Sequence, residues 1–513
     1  MAFVWLIACV NASTLLLARI AGRRRELAMR TALGASRARV LRHLLMESAV
    51  LAMTASAFGA ALAWIGIRLV QTLGADYVPR AAEMTLGGRT LGVLLLGTAL
   101  SVAVFGLIPA LAGTRGSLDD TLRDSGRSAT HSRRGRHVGA ALVAAQFAVA
   151  TPMLILTFLL ATTLHKLERV TLGFDTQGVL TAGITLPSAS YGTSGQAIAF
   201  WTELRKRLLE VPGIVDVGFA DSRPPDDAGN QNNFELQDAP VTAGQSQPVT
   251  TWVAVTPEYF PLIGARPIEG RLLEDRDMED DASPVIVVDA AWAKRFFPGQ
   301  SAIGKHLHDG GCSTCPWTTV VGVVPVVKYD GLSAPDQGIV YSPMGRAERS
   351  RFLIVRTSGN DAAALQAVRG AVRGLNPGIP LANAATIEEL VSESLQRPAG
   401  LSALAAGFGV VALILSIVGV YSLMANHVHQ HRKEIGIRIA LGGRPAGVLG
   451  LFVARGTWLV GLGVALGVIA ALNVSRLAKA LLFGVSATDP ATYAGVAAAL
   501  LGLAAIACAI PAL

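Results

Sequence analysis

Seven residues between Gly299 and Cys315 have the types and spacing of reactive or ligating groups. Gly299, Gly304 and Lys305 in GQSAIGKH satisfy G-x-x-x-x-G-K, the spacing with which a glycine-rich loop wraps phosphates and a lysine neutralises them. A true phosphate loop follows a strand, continues with Ser or Thr for the magnesium ion, and opens a helix. Here AKRFFP precedes and His306 follows, so no nucleotide site is expected. Cys312 and Cys315 in GGCSTCPW stand close to His306 and His308, four groups of zinc-ligand type within ten residues. The pair has three readings: a local disulfide, two inert thiols, or a metal or redox site. In an oxidising compartment the disulfide is the commonest of these.

Other candidates are weaker. His427, His429 and His431 alternate in a way that suits a metal or a pH sensor, and equally the polar flank of a span. The run EDRDMEDDA lacks the ligand spacing of a calcium loop and reads as a solvated turn. Cys9 and Cys508 lie within apolar runs, where a thiol packs as a small hydrophobe. No nucleophile, base and orienting group fall into a usable arrangement, so no catalytic residue, no metal site and no directly bound cofactor is assigned.

The elements that would position such groups are mostly apolar. Of 513 residues 51% are hydrophobic and 16% charged, too apolar for an ordinary soluble protein of this size. Seven runs reach the length of about 20 residues needed to cross a bilayer: roughly 2–20, 47–73, 90–112, 138–163, 401–426, 447–475 and 489–512. The net charge of +8 divides unevenly, because residues 166–399 hold 20 Lys+Arg against 27 Asp+Glu. The positive excess therefore sits in the membrane part, in eight arginines from Arg19 to Arg42, six from Arg115 to Arg136, and four basic residues from Arg432 to Arg444. That placement argues against nucleic acid and for cytoplasmic loops facing anionic lipid. With these loops inside, residues 166–399 fall outside. The first run carries its charge after the apolar stretch, which excludes a signal peptide.

One phrase is written twice. ELAMRTALGAS begins at Glu26, and EIGIRIALGGR at Glu434, 408 positions on; from Arg25 to Leu41, eight of 17 positions match their partners. Leu27, Ala28, Met29, Ala32 and Leu33 recur at helical spacing opposite Arg23, Arg24, Arg25 and Arg30, which makes the segment an amphipathic helix. Glu26 with Arg30, and Glu434 with Arg438, are spaced to pair at i, i+4. Gly34 suits a helix stop and Ser36 an N-cap; in the second copy Gly442 and Gly443 supply the stop, and Pro445 takes the first helical position. Glu47 and Arg455 also correspond, and a salt bridge between the copies is conceivable. Two equal cytoplasmic segments imply a pseudo-symmetric body with two equal docking surfaces.

The run RRRELAMRTALGASRARVLRHLLMES followed by spans ending FGLIPALAG, and HRKEIGIRIALGGRPAGVLG with LLFGVSATDPATY, resemble the FtsX/MacB-type permease domain of ABC transporters in a duplicated, ADOP-like form. VTPEYFPLIGARPIEGRLLEDRD, PVIVVDAAWAKRFFPGQSAIGKHL and TTVVGVVPVVKYDGL resemble the MacB-like periplasmic core domain. The resemblance implies a first permease domain at 1–113 with a coupling helix near 23–43, a basic linker at 114–137, a transmembrane helix at 138–165, a periplasmic domain at 166–399, and a second permease domain at 400–513 with a coupling segment near 430–447. The implied fold is a polytopic α-helical membrane protein of about seven spans with one α+β periplasmic domain. Arg25, Glu26, Arg30, Leu33 and Gly34, with Lys433, Glu434, Arg438, Leu441 and Gly442, become the residues that meet an ATPase dimer carried on a separate chain, where ATP and magnesium would bind. Further implied partners are membrane lipid and a periplasmic adaptor or substrate protein, in a bacterial inner membrane. The alternative is a signalling or scaffold protein that controls a periplasmic enzyme without transport. The resemblance also implies a span and outer domain before Met1 and a basic tail after Leu513.

Within 166–399, the runs GVLTAGITL, IVDVGFA, TTWVAV, SPVIVVD and TTVVGVV read as strands, and GQAIAFWTELRKRLLEV and DAAALQAVRGAVRGL as helices. Two small sheets with helices are expected. SRPPDDAGNQNN and DAPVTAGQSQ read as loops.

Overall fold

The computed structural model describes residues 2–23, 26, 29–30, 33, 35–73, 83–107, 133–239, 246–279, 282–310, 312, 314–441 and 445–510. It divides into two compact units, Met1–Lys166 with Pro398–Leu513, and Leu167–Arg397.

In the first unit the seven apolar runs fall on helices α1 (Ala2–Gly22), α2 (Arg37–Leu73), α3 (Gly88–Ser101, prolonged by a π-helical turn at Val102–Leu107) and α4 (Arg133–Leu167). The closing three are α9 (Ile387–Ala440), α10 (Pro445–Leu477) and α11 (Pro490–Ala509); α5 to α8 belong to the second unit. Among the described residues five stretches are long and apolar enough to cross a membrane: Ala38–Thr72, Gly139–Leu167, Ile387–Ala425, Gly456–Leu477 and Pro490–Ala509. Shorter apolar stretches, Val4–Ser13 and Gly88–Ser101, lie in α1 and α3. Sequence signals set the helix starts. Pro445 opens α10, a position where its missing N–H costs nothing, and Asp489 caps α11 by accepting the Thr492 N–H at 2.9 Å.

The duplication is visible in packing. Ile-Pro-Ala-Leu occurs at 108–111 and again at 510–513, so the last helix of each set is related by 402 positions. On that register, Ser48 with Gly106 and Gly456 with Cys508 are the same contact. A Cβ on Gly106 would lie 3.0 Å from Ser48 Cβ, and one on Gly456 would lie 2.5 Å from Cys508 Sγ. The small residue has changed sides, and the close approach remains. In the second copy, Gly463 and Gly467 bring α10 against α4. Cβ atoms there would lie 2.5 Å from Ala144 O and 2.5 Å from Thr151 Cβ, the close backbone approach that a G-x-x-x-G pair permits in a membrane. Phe147, Ile155, Leu159, Val460, Val464 and Leu500 fill the core of this bundle. In the first copy, Trp5 Nε1 donates to Ser101 Oγ at 2.8 Å, and Ser56 meets Thr98 at 2.6 Å.

The second unit is α+β. Strand β1 (Val179–Thr185), helix α5 (Ser194–Leu209) and strand β2 (Ile214–Ala220) are followed by an insertion, after which β10 (Ser350–Thr357), α8 (Asp361–Leu375) and β11 (Leu381–Thr386) complete a β-α-β-β-α-β frame. Its sheet runs in the order β11-β1-β10-β2, antiparallel throughout. Trp201, Leu204 and Leu208 of α5 and Val368 and Val372 of α8 cover it with one core. The insertion holds β3 (Asn230–Leu236), β4 (Val249–Val255), α6 (Tyr259–Leu262), β5 (Glu269–Gly270), β6 (Val285–Asp289), α7 (Ala290–Phe296), β7 (His306–Asp309), β8 (Thr318–Val324) and β9 (Ile339–Pro343). Six of these strands close on themselves in the order β4-β3-β7-β8-β6-β9, because β9 pairs back with β4 in parallel. A single pair, Ala220 with Val255, joins this ring to the four-stranded sheet. Both helices and all five strands expected from pattern are present. SRPPDDAGNQNN was expected as loop throughout, but Asn230–Asn233 form the start of β3. Their amide side chains are exposed, and backbone pairing with Val249–Trp252, joined at Asn233 by the Gly310 N–H, holds them in the sheet.

Candidate functional site

The first amphipathic segment is organised by a chain of ion pairs. Arg23 grips Glu26 through Nε and Nη2 at 2.8 and 3.1 Å, and Arg30 Nη2 reaches the same carboxylate at 2.6 Å. Arg23 Nη1 also meets Glu47 Oε2 at 3.4 Å, and Arg19 Nη1 meets Glu47 Oε1 at 3.0 Å. Glu47 lies in α2, one face of which therefore anchors the segment by charge. The Arg23 hydrogen bonds hold the Glu26 carboxyl below the usual carboxylate range, with Arg30 and His43 adding to the effect. Glu26 also raises the Arg23 guanidinium.

Two apolar side chains of the segment are open. Met29 is 61% exposed and Leu33 88%. Leu33 N–H donates to Met29 O at 3.0 Å, and Ala35 N–H reaches back to Arg30 O at 3.0 Å, closing the turn. The next helix begins at Arg37, where Ser36 O accepts the Val40 N–H at 3.2 Å. In the second copy α9 runs unbroken from its span through Ala440. Ile437 is 60% exposed and Leu441 83%, and Leu441 N–H donates to Ile437 O at 3.0 Å. Ile437 and Leu441 are the counterparts of Met29 and Leu33, 408 positions on.

Of the sequence-assigned residues, Glu26 and Arg30 come together in this way, and Leu33 and Leu441 stand exposed at equivalent places. Arg25, Gly34 and Gly442 lie outside the described residues; Lys433, Glu434 and Arg438 lie on α9, with side chains outside the description, as are those of His427, His429, His431 and Arg455. Among the described residues Glu47 pairs with Arg19 and Arg23 of its own copy; the conceivable pairing with Arg455 lies outside the description. Sequence reading missed Arg19 and Arg23 as partners of Glu47; it also missed Arg23 as a partner of Glu26, although their spacing of three residues carried that signal.

The other candidates resolve as structure. In the G-x-x-x-x-G-K run, α7 precedes and β7 follows, the reverse of a phosphate loop. Lys305 pairs with Asp238 and lies 5.0 Å over the Phe297 ring. Cys312 and Cys315 are joined by a disulfide with Cα atoms 5.5 Å apart, in the connection between β7 and β8. His308 packs on Trp317, ring centroids 4.3 Å apart. In the acidic turn Asp277 accepts both Arg271 Nη atoms at 2.6 and 2.9 Å, which holds its carboxyl low. Among the described residues no three His, Cys, Asp or Glu side chains are placed to share a metal ion.

Two family models match the chain, overlapping at residues 90–118. Residues 90–374 match the MacB-like periplasmic core domain, and residues 1–118 and 406–513 match the FtsX-like permease C-terminal domain. The macrolide export ATP-binding/permease protein MacB of Agrobacterium fabrum is 28% identical over 232 residues, 43% of this chain and 34% of that protein. Its counterpart in Hahella chejuensis is 27% identical over 233 residues, 44% of this chain and 35% of that protein. The chain thus spans about a third of the length of these curated relatives. Among solved structures, the periplasmic region of MacB from Actinobacillus actinomycetemcomitans aligns with 42% of this chain and 92% of its own, at 16% identity and a TM-score of 0.29. The extracellular domain of the noncanonic ABC-type transporter YknZ from Gram-positive bacteria aligns with 40% of this chain and 100% of its own, at 14% identity and a TM-score of 0.26.

Proposed function

This chain belongs to the FtsX/MacB-type permease family of ABC transporters, and from that membership we propose that its two amphipathic segments are the docking points of a separate ATPase dimer. The observation that carries the proposal is the pair Leu33 and Leu441, 88% and 83% exposed at equivalent places in the two copies. Covering a leucine of this kind stabilises a complex by about 1.5–3 kcal/mol, and two equal surfaces suit a partner with two equal halves. The ion pairs from Arg19 to Arg30 keep the first segment attached to α2, so a pull on Leu33 is passed to a membrane helix. ATP and magnesium belong to the partner; this chain contributes no catalytic group. Closure of the ATPase would move the spans of a bacterial inner-membrane subunit and, through them, the periplasmic domain, driving export of material from the periplasmic side.

The test is recovery of an ATPase with the tagged full chain in mild detergent, beside a Leu33→Asp/Leu441→Asp variant. Co-purifying ATP hydrolysis that the variant loses is expected. ATPase recovered equally with both, or with neither while the chain stays folded, overturns the docking role.

A further inference from the structure

Helices α1 and α9 meet at residues that the duplication makes equivalent. Ile7 and Leu415, 408 positions apart, share one apolar cluster with Ala150 and Ala412. One turn further, Asn11 meets Gly419, again 408 apart: a Cβ on Gly419 would lie 2.5 Å from Asn11 Oδ1 and closer still to Gln146 Oε1. Residues related by a twofold axis touch one another only where that axis passes. The pseudo-twofold axis of the duplicated body therefore runs through this contact.

The contact is polar and asymmetric. Asn11 Nδ2 donates to Leu415 O at 2.7 Å, and Gln146 Nε2 donates to the same carbonyl at 2.8 Å. Both side chains are more than nine-tenths buried, and among the described residues neither amide oxygen has a donor. Such groups are costly among apolar helices unless the packing fixes them in place. The repeat alone does not require asparagine on one side of the axis and glycine on the other.

We infer that the face of α1 around Asn11 is a pairing surface selective for the glycine-bearing span of the second copy, in preference to an identical α1 from another chain. Gly419 lets the two backbones approach until Asn11 reaches the Leu415 carbonyl. A side chain at 419 would occupy the space of two amide oxygens. Two α1 faces brought together would place asparagine on both sides of the axis, and the helices would have to separate, losing the packing that Ile7 and Leu415 make. The duplication therefore carries an instruction for pairing copy one with copy two within a chain. The inference does not depend on the ATPase reading.

The experiment is disulfide trapping in membranes, on the full chain with Cys9→Ala and Cys508→Ala. With Ile7→Cys and Leu415→Cys together, an intrachain bond should form, and with Ile7→Cys alone an interchain dimer should be scarce. Gly419→Ala should lower the intrachain yield, and adding Asn11→Ala should restore part of it. Where Gly419→Ala fails to accumulate, Asn11→Ala by itself should raise the Ile7→Cys dimer about threefold, the effect of one interhelical hydrogen bond in a bilayer. An interchain dimer as abundant as the intrachain bond overturns the selectivity. So does an intrachain yield unmoved by Gly419→Ala, or a dimer yield unmoved by Asn11→Ala.

Discussion

Leu33 and Leu441 stand at the same place in the two copies, each with its N–H on the carbonyl four residues back and its side chain more than four-fifths exposed. Equivalence makes a graded prediction. Leu33→Asp and Leu441→Asp alone should each weaken ATPase co-purification, and the double variant should abolish it. Each leucine contributes about 1.5–3 kcal/mol when covered, so a single change should lower apparent affinity by at least about tenfold. Titration of the purified partner onto detergent-solubilised chain measures this. A single variant as defective as the double would show that one copy alone docks.

Asp289 provides a pH dependence of known sign. Its side chain is fully buried, Oδ1 accepts the Trp292 N–H at 2.7 Å, and burial pushes its carboxyl up to about 6. In the unfolded chain the group ionises near 3.9, so between about pH 4 and pH 6 the folded state holds the extra proton and stability falls as pH rises. Asp289→Asn keeps the cap and removes the charge. It should stabilise the region around α7 at pH 8 by about 1–3 kcal/mol and do nothing at pH 4. Hydrogen exchange of residues 285–297 in the full chain, at both pH values, checks it. Equal protection of wild type and variant at pH 8 would refute the buried charge.

What the sequence made legible was local. IVDVGFA is β2 and TTVVGVV is β8, residue for residue, because each is a short β-branched run bounded by turn residues. DAAALQAVRGAVRGL is α8 complete, with Asn360 capping it by accepting the Ala363 N–H at 3.0 Å. Long-range relations were not legible. The return of β9 to β4 that closes the ring pairs residues almost ninety positions apart and leaves no periodic trace. Asn230 to Asn233 read as loop because their strand identity comes from a neighbour rather than from propensity. In the candidate site, helical spacing put Leu33 on the apolar face of the first segment, and the repeat put Leu441 at the equivalent place in the second. The partners of Glu47 did not, because nothing in a linear sequence says which of several arginines shares its side of a helix.

The disulfide of Cys312 and Cys315 should matter for local stability and not for docking. It closes a loop of four residues, for which the chain-entropy relation gives about 2 kcal/mol. Cys312→Ser with Cys315→Ser should lower the denaturant midpoint of the α+β unit, read by tryptophan fluorescence, and leave ATPase recovery unchanged. Loss of ATPase recovery with an unchanged midpoint would assign the pair a role in coupling instead.

The two copies also supply an internal control for helix packing. Gly467 seats α10 on α4, and a Cβ there would lie 2.5 Å from Thr151 Cβ and 3.1 Å from Ala148 O. Its counterpart 408 positions earlier is Gly59 of α2, where a Cβ meets no atom within 4 Å among the described residues. The same substitution should therefore have opposite effects. Gly467→Ala must separate α10 from α4 and should destabilise the bundle by about 1–3 kcal/mol, the usual cost of overpacking. Gly59→Ala meets open space and replaces the poorest helix former short of proline, so it should be neutral or stabilise by up to about 1 kcal/mol. Thermal aggregation of the two variants in the same detergent makes the comparison, with differences in detergent binding cancelling because both changes add one methyl group to a span. If Gly59→Ala proved as damaging as Gly467→Ala, α2 would have to be packed against another helix at that face, and the equivalence of the two bundles would extend to a contact that, among the described residues, α10 makes and α2 does not.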